Sequence, residues 1–258
     1  MFWKISLLTL VLLAATFQLP AIFDNDEIFQ RGVNAYQERN YELALQSFLH
    51  LTEEGIVNAK LYYNIGNTYF RLDNIGHAIL YYKKGLRLEP YNQSLQNNLR
   101  YSLSLTQDRQ VIEDPNPFLS IVNDIVFSLP LNWLFTISLV LFALVVLIIN
   151  VMIIYFPRRE KTIPLFVIIM VIFLLLISGA ITYYRWQHLH DDSEAVLVTT
   201  STSGQSGPAD DYESIFRIHE GMIFRVNTTQ NGWSQITLPS GITGWIRNDT
   251  FKRIQIAL

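Results

Sequence analysis

Two long apolar stretches limit what this 258-residue chain can become. Leu131 to Phe156 and Ile163 to Tyr184 each run without an Asp, Glu, Lys or Arg. A helix of about 20 apolar residues crosses roughly 30 Å of hydrocarbon, so each stretch is long enough to span a bilayer with some tilt. The alternative, two helices buried in series inside a large soluble core, is rare. Between them stands only Pro157-Arg158-Arg159-Glu160-Lys161-Thr162, a tight turn with three cations. Cations in short loops resist translocation, which assigns residues 157–162 to the cytoplasm and both flanks of the hairpin to the opposite side. Pro164 falls in the first turn of the second span, where its missing N–H costs nothing. Trp133, Tyr183, Tyr184 and Trp186 lie at the ends, where aromatic residues favour the membrane interface.

That hairpin orients the rest of the chain. Residues 1–21 open with Lys4 and a short apolar run, Ile5 to Ala15, which is the pattern of a secretory signal; an uncleaved anchor is the alternative. Either places the segment after Ala21 outside the cytoplasm, in agreement with the basic turn. A net charge of −3 gives no electrostatic case for nucleic acid. With no cysteine, disulfides, Cys-ligated zinc and thiol nucleophiles are excluded.

Residues 25–107 are helical and repetitive. A shift of 34 residues lays Gly32 on Gly66, Ala44 on Ala78 and Phe48 on Tyr82, and Pro90 closes the second copy. Small residues let two antiparallel helices approach closely, and the aromatic is expected to fill the gap to the next repeat. The segment resembles the tetratricopeptide repeat, with copies at 25–58 and 59–92 followed by a capping helix, Gln93 to Gln107. So short an array needs support from the membrane or a partner. Residues 108–130 are expected to form a linker and an interfacial helix, 131–156 and 163–184 the two spans.

From 193 to 258, short strand-like runs alternate with turns such as His219-Glu220-Gly221 and Gln230-Asn231-Gly232. Thr202 to Asp211 reads as a Ser/Gly/Pro/Asp loop. Gly232-Trp233 and Gly244-Trp245-Ile246, with Ala195 to Val198 and Ile218 to Gly221, resemble the bacterial SH3-like family, a small all-β barrel whose members often bind cell-wall peptides. The expected fold class is thus a multidomain membrane protein: an α-helical tetratricopeptide array, a two-helix transmembrane hairpin and an SH3-like barrel.

No catalytic constellation stands out, and neither a cofactor nor a metal is expected. His188, His190, Asp191 and Asp192 are metal-like residue types, but they come directly after a span, where polar linker residues belong. Ser203 to Gly207 is no phosphate cradle, since no Lys-Ser/Thr succeeds it. Binding surfaces are the better candidates. Projecting the repeat pattern onto a concave groove selects Phe29, Val33 and Tyr36 from the first copy, and Tyr63, Asn67, Phe70 and Arg71 from the second, a face suited to an extended peptide or a partner helix. In the family's carboxylate-clamp subtype Lys and Asn stand where this chain has Phe29 and Val33, so that subtype is not expected even though Asn67 matches. Trp233 and Trp245 are the barrel's candidate ligand residues, although at least one Trp of so small a barrel is expected in its core.

The domain order as a whole resembles the BatE-type family of the bacterial aerotolerance operon. That resemblance implies a non-enzymatic protein of the bacterial inner membrane with both soluble parts periplasmic. Its partners would be the bilayer and membrane proteins with von Willebrand A domains; peptidoglycan peptides are the alternative ligand.

Overall fold

The computed structural model describes residues 25–108, 110, 129, 131–155 and 162–256. The expected leader, the basic turn before Thr162 and the interfacial helix lie outside the described residues. The chain divides into two compact units: Met1–Leu86, Asn92–Val111 and Asp192–Leu258 form one, and Arg87–Tyr91 with Ile112–Asp191 the other.

In the first unit, five helices obey the 34-residue period: α1 (25–37), α2 (Tyr41–Glu53), α3 (Ala59–Arg71), α4 (Ile75–Leu88) and α5 (Gln93–Leu105). The period is written into the caps. Asn40 and Asn74 each accept at 3.3 Å from a backbone N–H in the first turn of α2 and α4, and Asn58 and Asn92 accept likewise for α3 and α5, at 2.7 and 3.1 Å. Arg39 and Asp73, also one period apart, both take the left-handed conformation that turns one helix into the next. A Cβ on Gly32 would stand 2.6 Å from the Phe48 ring, and one on Gly66 2.5 Å from the Tyr82 ring. Each aromatic therefore fills the notch left by the glycine of its own repeat, where the pattern alone placed it against the next repeat. Ala44 and Ala78 are fully buried at the same helix crossings.

The C-terminal segment is one seven-stranded antiparallel sheet: β1 (Glu194–Leu197), β2 (Ser201–Gln205), β3 (Ser214–His219), β4 (Ile223–Gln230), β5 (Trp233–Thr237), β6 (Thr243–Arg247) and β7 (Phe251–Arg253), in the order β3-β2-β6-β5-β4-β1-β7. Ile218 of β3 and Phe251 of β7, from the two outermost strands, share one apolar cluster with Leu197, Phe224, Ile236 and Ile246. The sheet is therefore rolled up as an SH3-like barrel. Asn231 and Gly232 turn β4 into β5 with two positive φ angles, the backbone twist a two-residue hairpin requires. Of Thr202 to Asp211, expected as a Ser/Gly/Pro/Asp loop, the first four residues belong to a strand. β2 is held by five pairs to β3, and Gly204 leaves room for the Phe216 ring across the ladder.

Repeats and barrel pack against each other. The Glu220 carboxylate accepts from the Gly76 N–H in the first turn of α4 at 2.7 Å, placing an anion at a helix N-terminus. Lys83 pairs with Glu194 at 3.1 Å. Beyond α5, Asp108 accepts from the His219 N–H (2.6 Å) and meets its ring nitrogen (3.1 Å), while Gln110 accepts from Ile223 N–H and donates to the Gly221 carbonyl. Gly221 has φ +85, and a Cβ there would strike Thr106 and Ile79. The support that a short array needs is thus supplied by the chain's own barrel.

In the second unit, α6 (Leu131–Tyr155) and α7 (Thr162–His190) pair along strict heptads. The less exposed residues include Leu131, Leu134, Ser138, Leu141, Val145, Ile148 and Met152 on α6, and Ile168, Val171, Leu175, Ser178, Thr182, Arg185 and Leu189 on α7; Val167, Gly179, Ile181 and His188 flank that second row. Alternating steps of three and four residues are the seam of a left-handed antiparallel pair. Ser138 and Ser178 hydroxyls bond across it at 2.7 Å. The outer faces are apolar and bare, with Leu139 68% and Phe166 69% exposed, which suits lipid and not a soluble core. α7 continues past the apolar stretch to His190, and its Arg185 guanidinium bonds the Leu129 carbonyl.

A methyl group at position 76 would stand 2.7 Å from the Leu197 carbonyl oxygen, which is backbone and cannot yield. Gly76→Ala is expected to cost about 1–3 kcal/mol in chemical denaturation. It should also expose the junction between repeats and barrel to limited proteolysis.

Candidate interaction surfaces

A groove of about 320 Å³ opens on the repeat array, lined by Tyr36, Tyr63, Asn67, Phe70, Arg71, Tyr82, Asn98, Tyr101 and Ser102. Five of the residues projected from the repeat pattern meet there. The other two do not line it: Phe29 packs on the Phe48 ring at 5.6 Å with the Lys60 ammonium 4.9 Å above it, and Val33 is half-buried. Four lining residues were missed. Asn98, Tyr101 and Ser102 belong to α5, which the pattern presented only as a leucine-bearing cap. Their one signal was the spacing of Asn98 and Tyr101 on one helix face away from the buried Leu95, Leu99 and Leu103.

The groove has a defined polar centre. Asn67 Oδ1 accepts from the Tyr82 hydroxyl at 2.8 Å and from Asn98 Nδ2 at 2.7 Å. Its oxygen is thereby occupied, and among the described residues both N–H bonds of its amide are uncommitted. The Ser102 hydroxyl is buried at the groove with no partner among the described residues. Burial raises the Tyr82 phenol well above its ordinary value, so it stays a neutral donor. Arg71 stands over the Tyr41 ring at 5.6 Å; burial raises the Tyr36 phenol against the lowering influence of that cation. Phe70 and Tyr101 face one another at 5.6 Å across the rim. Among the described residues, one cation and no carboxylate line the groove. It can hold an extended backbone through amide donors while its rings take alternate side chains.

On the barrel, Trp233 pairs with Arg247 and Trp245 with Gln235 and Gln205, so the two indoles share the outer face of the sheet. Neither belongs to the apolar cluster that Ile236 and Ile246 fill from the opposite face, although Trp233 is itself among the buried hydrophobic residues. It is only 7% exposed, with the Arg247 guanidinium 5.6 Å over its ring. Trp245 is half-buried between two glutamines. Among the described residues, no three of His, Cys, Asp and Glu come together as they would around a metal. His190 instead bonds the Trp186 carbonyl and stacks on its ring.

Comparison with known families agrees with these two modules. The tetratricopeptide repeat family matches residues 59–92, and the bacterial SH3 domain family matches 205–251. Both are interaction modules, and no enzymatic family is indicated. No curated protein matches the chain.

This geometry has two measurable consequences. Asn67→Leu would strip the acceptor from Tyr82 and Asn98, costing about 1–3 kcal/mol in urea unfolding. His77, stacked on Tyr69 at 4.9 Å, is held below its ordinary value by burial and then by the Lys252 charge. The folded protein binds that proton less readily than the unfolded chain does. Its contribution to stability is therefore intact above about pH 6.5 and lost as pH falls below it. NMR titration should place His77 below the usual histidine value, and Lys252→Gln should move it upward.

Proposed function

We propose that the chain is a non-enzymatic scaffold of a bacterial inner membrane, with repeats and barrel in the periplasm and the groove holding an extended segment of a partner protein. The observation that carries this is the groove itself. Its rings, its uncommitted Asn67 donors and its Arg71 are open, while the barrel docks elsewhere on the array. Topology supports the placement. A body built from both flanks of the hairpin requires an even number of crossings, and the cations of residues 157–162 favour a cytoplasmic bend. The resemblance to BatE-type aerotolerance factors makes membrane proteins with von Willebrand A domains the first partners to test, in envelope or oxidative-stress maintenance. Because repeats and barrel are packed together, a ligand held by one meets the other's surface at a fixed, high effective concentration.

Trp245, outward-facing between Gln205 and Gln235, favours a second reading, in which the barrel grips peptidoglycan peptides and the chain is a cell-wall sensor. A photoreactive residue at Phe70 or Arg71 in the full-length protein should capture a membrane protein in cells, and Tyr101→Ala should weaken that capture several-fold. Retention of the solubilised protein on isolated sacculi, lost on Trp245→Ala and without capture at Phe70, would favour the sensor instead. Alkaline phosphatase fused near Thr106 or at Leu258 should be active, and at Glu160 inactive; the reverse pattern would overturn the placement.

A further inference from the structure

Much of α6 is not covered by α7. On α6, Asn132, Thr136, Leu139, Ala143, Val146 and Asn150 are all exposed. Their spacing alternates four and three residues, the same heptad rule that builds the α6–α7 seam. At 3.6 residues per turn this stripe lies about 150° around the helix from the residues that face α7.

Asn150 makes the stripe more than an apolar face. The span of α6 runs from Leu131 to Ile154, so at 1.5 Å per residue Asn150 lies only about 11 Å from the middle of the hydrocarbon. Its Nδ2 donates to the Val146 carbonyl at 2.8 Å, one turn back toward the start of the helix. Side chains on a helix lean toward its N-terminus, and this one leans away from the nearer membrane surface and toward the bilayer centre. Among the described residues its Oδ1 has no donor. An amide oxygen left in hydrocarbon is costly, and lipid tails cannot supply the missing partner.

We propose that this face of α6 binds the same face of a second copy of the chain, with Asn150 bonded to Asn150 of that copy. Two copies inserted in one membrane present α6 in the same direction, related by a two-fold axis along the bilayer normal. Such an axis brings each residue near its own counterpart. A carboxamide suits that geometry, since it carries a donor and an acceptor and each amide can satisfy the other. Thr136 and Ala143, both small, let the two backbones approach closely along the rest of the stripe. An Asn within a heptad-spaced face also helps to fix register and number of strands, here two.

The chain has no cysteine, so each introduced thiol is unique. Full-length protein bearing Leu139→Cys, Ala143→Cys or Val146→Cys, oxidised in membranes with copper phenanthroline, should give a disulfide-linked homodimer. Leu144→Cys and Ile149→Cys, off the stripe on either side, should give roughly tenfold less. Adding Asn150→Leu to Ala143→Cys should lower the dimer yield about tenfold, and Asn150→Gln should preserve it. Equal yields around the helix would overturn the proposal. So would crosslinks to another protein in place of the homodimer, or a yield indifferent to Asn150→Leu.

Discussion

The soluble body depends on an anion from the barrel reaching the first turn of a repeat helix. Glu220 meets α4 where its backbone N–H groups are unpaired and its dipole is positive, and Asn74 takes the neighbouring donor. Gly76 is compulsory there because any side chain would enter the Leu197 carbonyl. Around this contact, Lys83–Glu194, Asp108–His219 and Gln110 hold the barrel by polar bonds, with Ile79 and Thr106 closing over Gly221. A repeat array this short would otherwise leave one flank of its core open to water.

How far the sequence disclosed this differs between parts for physical reasons. The repeats were legible because each copy must solve the same packing problem, so Gly, Ala and an aromatic recur at 34 residues, and so do the Asn caps. The hairpin was legible because hydrocarbon tolerates few residue types. β2 was not legible: Ser201 to Gln205 carries neither β-branched alternation nor a hydrophobic face, and its pairing is imposed by β3 and by Phe216. The union of repeats and barrel was also hidden. Its bonds join polar residues more than a hundred positions apart, and such pairs leave no periodicity to read. The groove fell between these cases. Residues on the repeat helices were found by projection, while those on α5 were masked by the leucines on its other face.

The same logic separates the two candidate surfaces. In the groove, polar groups are mutually arranged so that Asn67 spends its oxygen inside the protein and keeps its donors outward, which is preorganisation for a carbonyl-bearing guest. On the barrel, Trp233 is pinned under Arg247, while Trp245 stays half-exposed between amide neighbours.

The 144 positions between Gly76 and Glu220 also set a timetable for biogenesis. A ribosome adding 5–20 residues per second needs roughly 7 to 30 s to travel from one to the other. In that interval α4 has emerged without its anion. The nascent repeats must therefore wait, half-finished, until both spans have entered the bilayer and the last strands have been delivered.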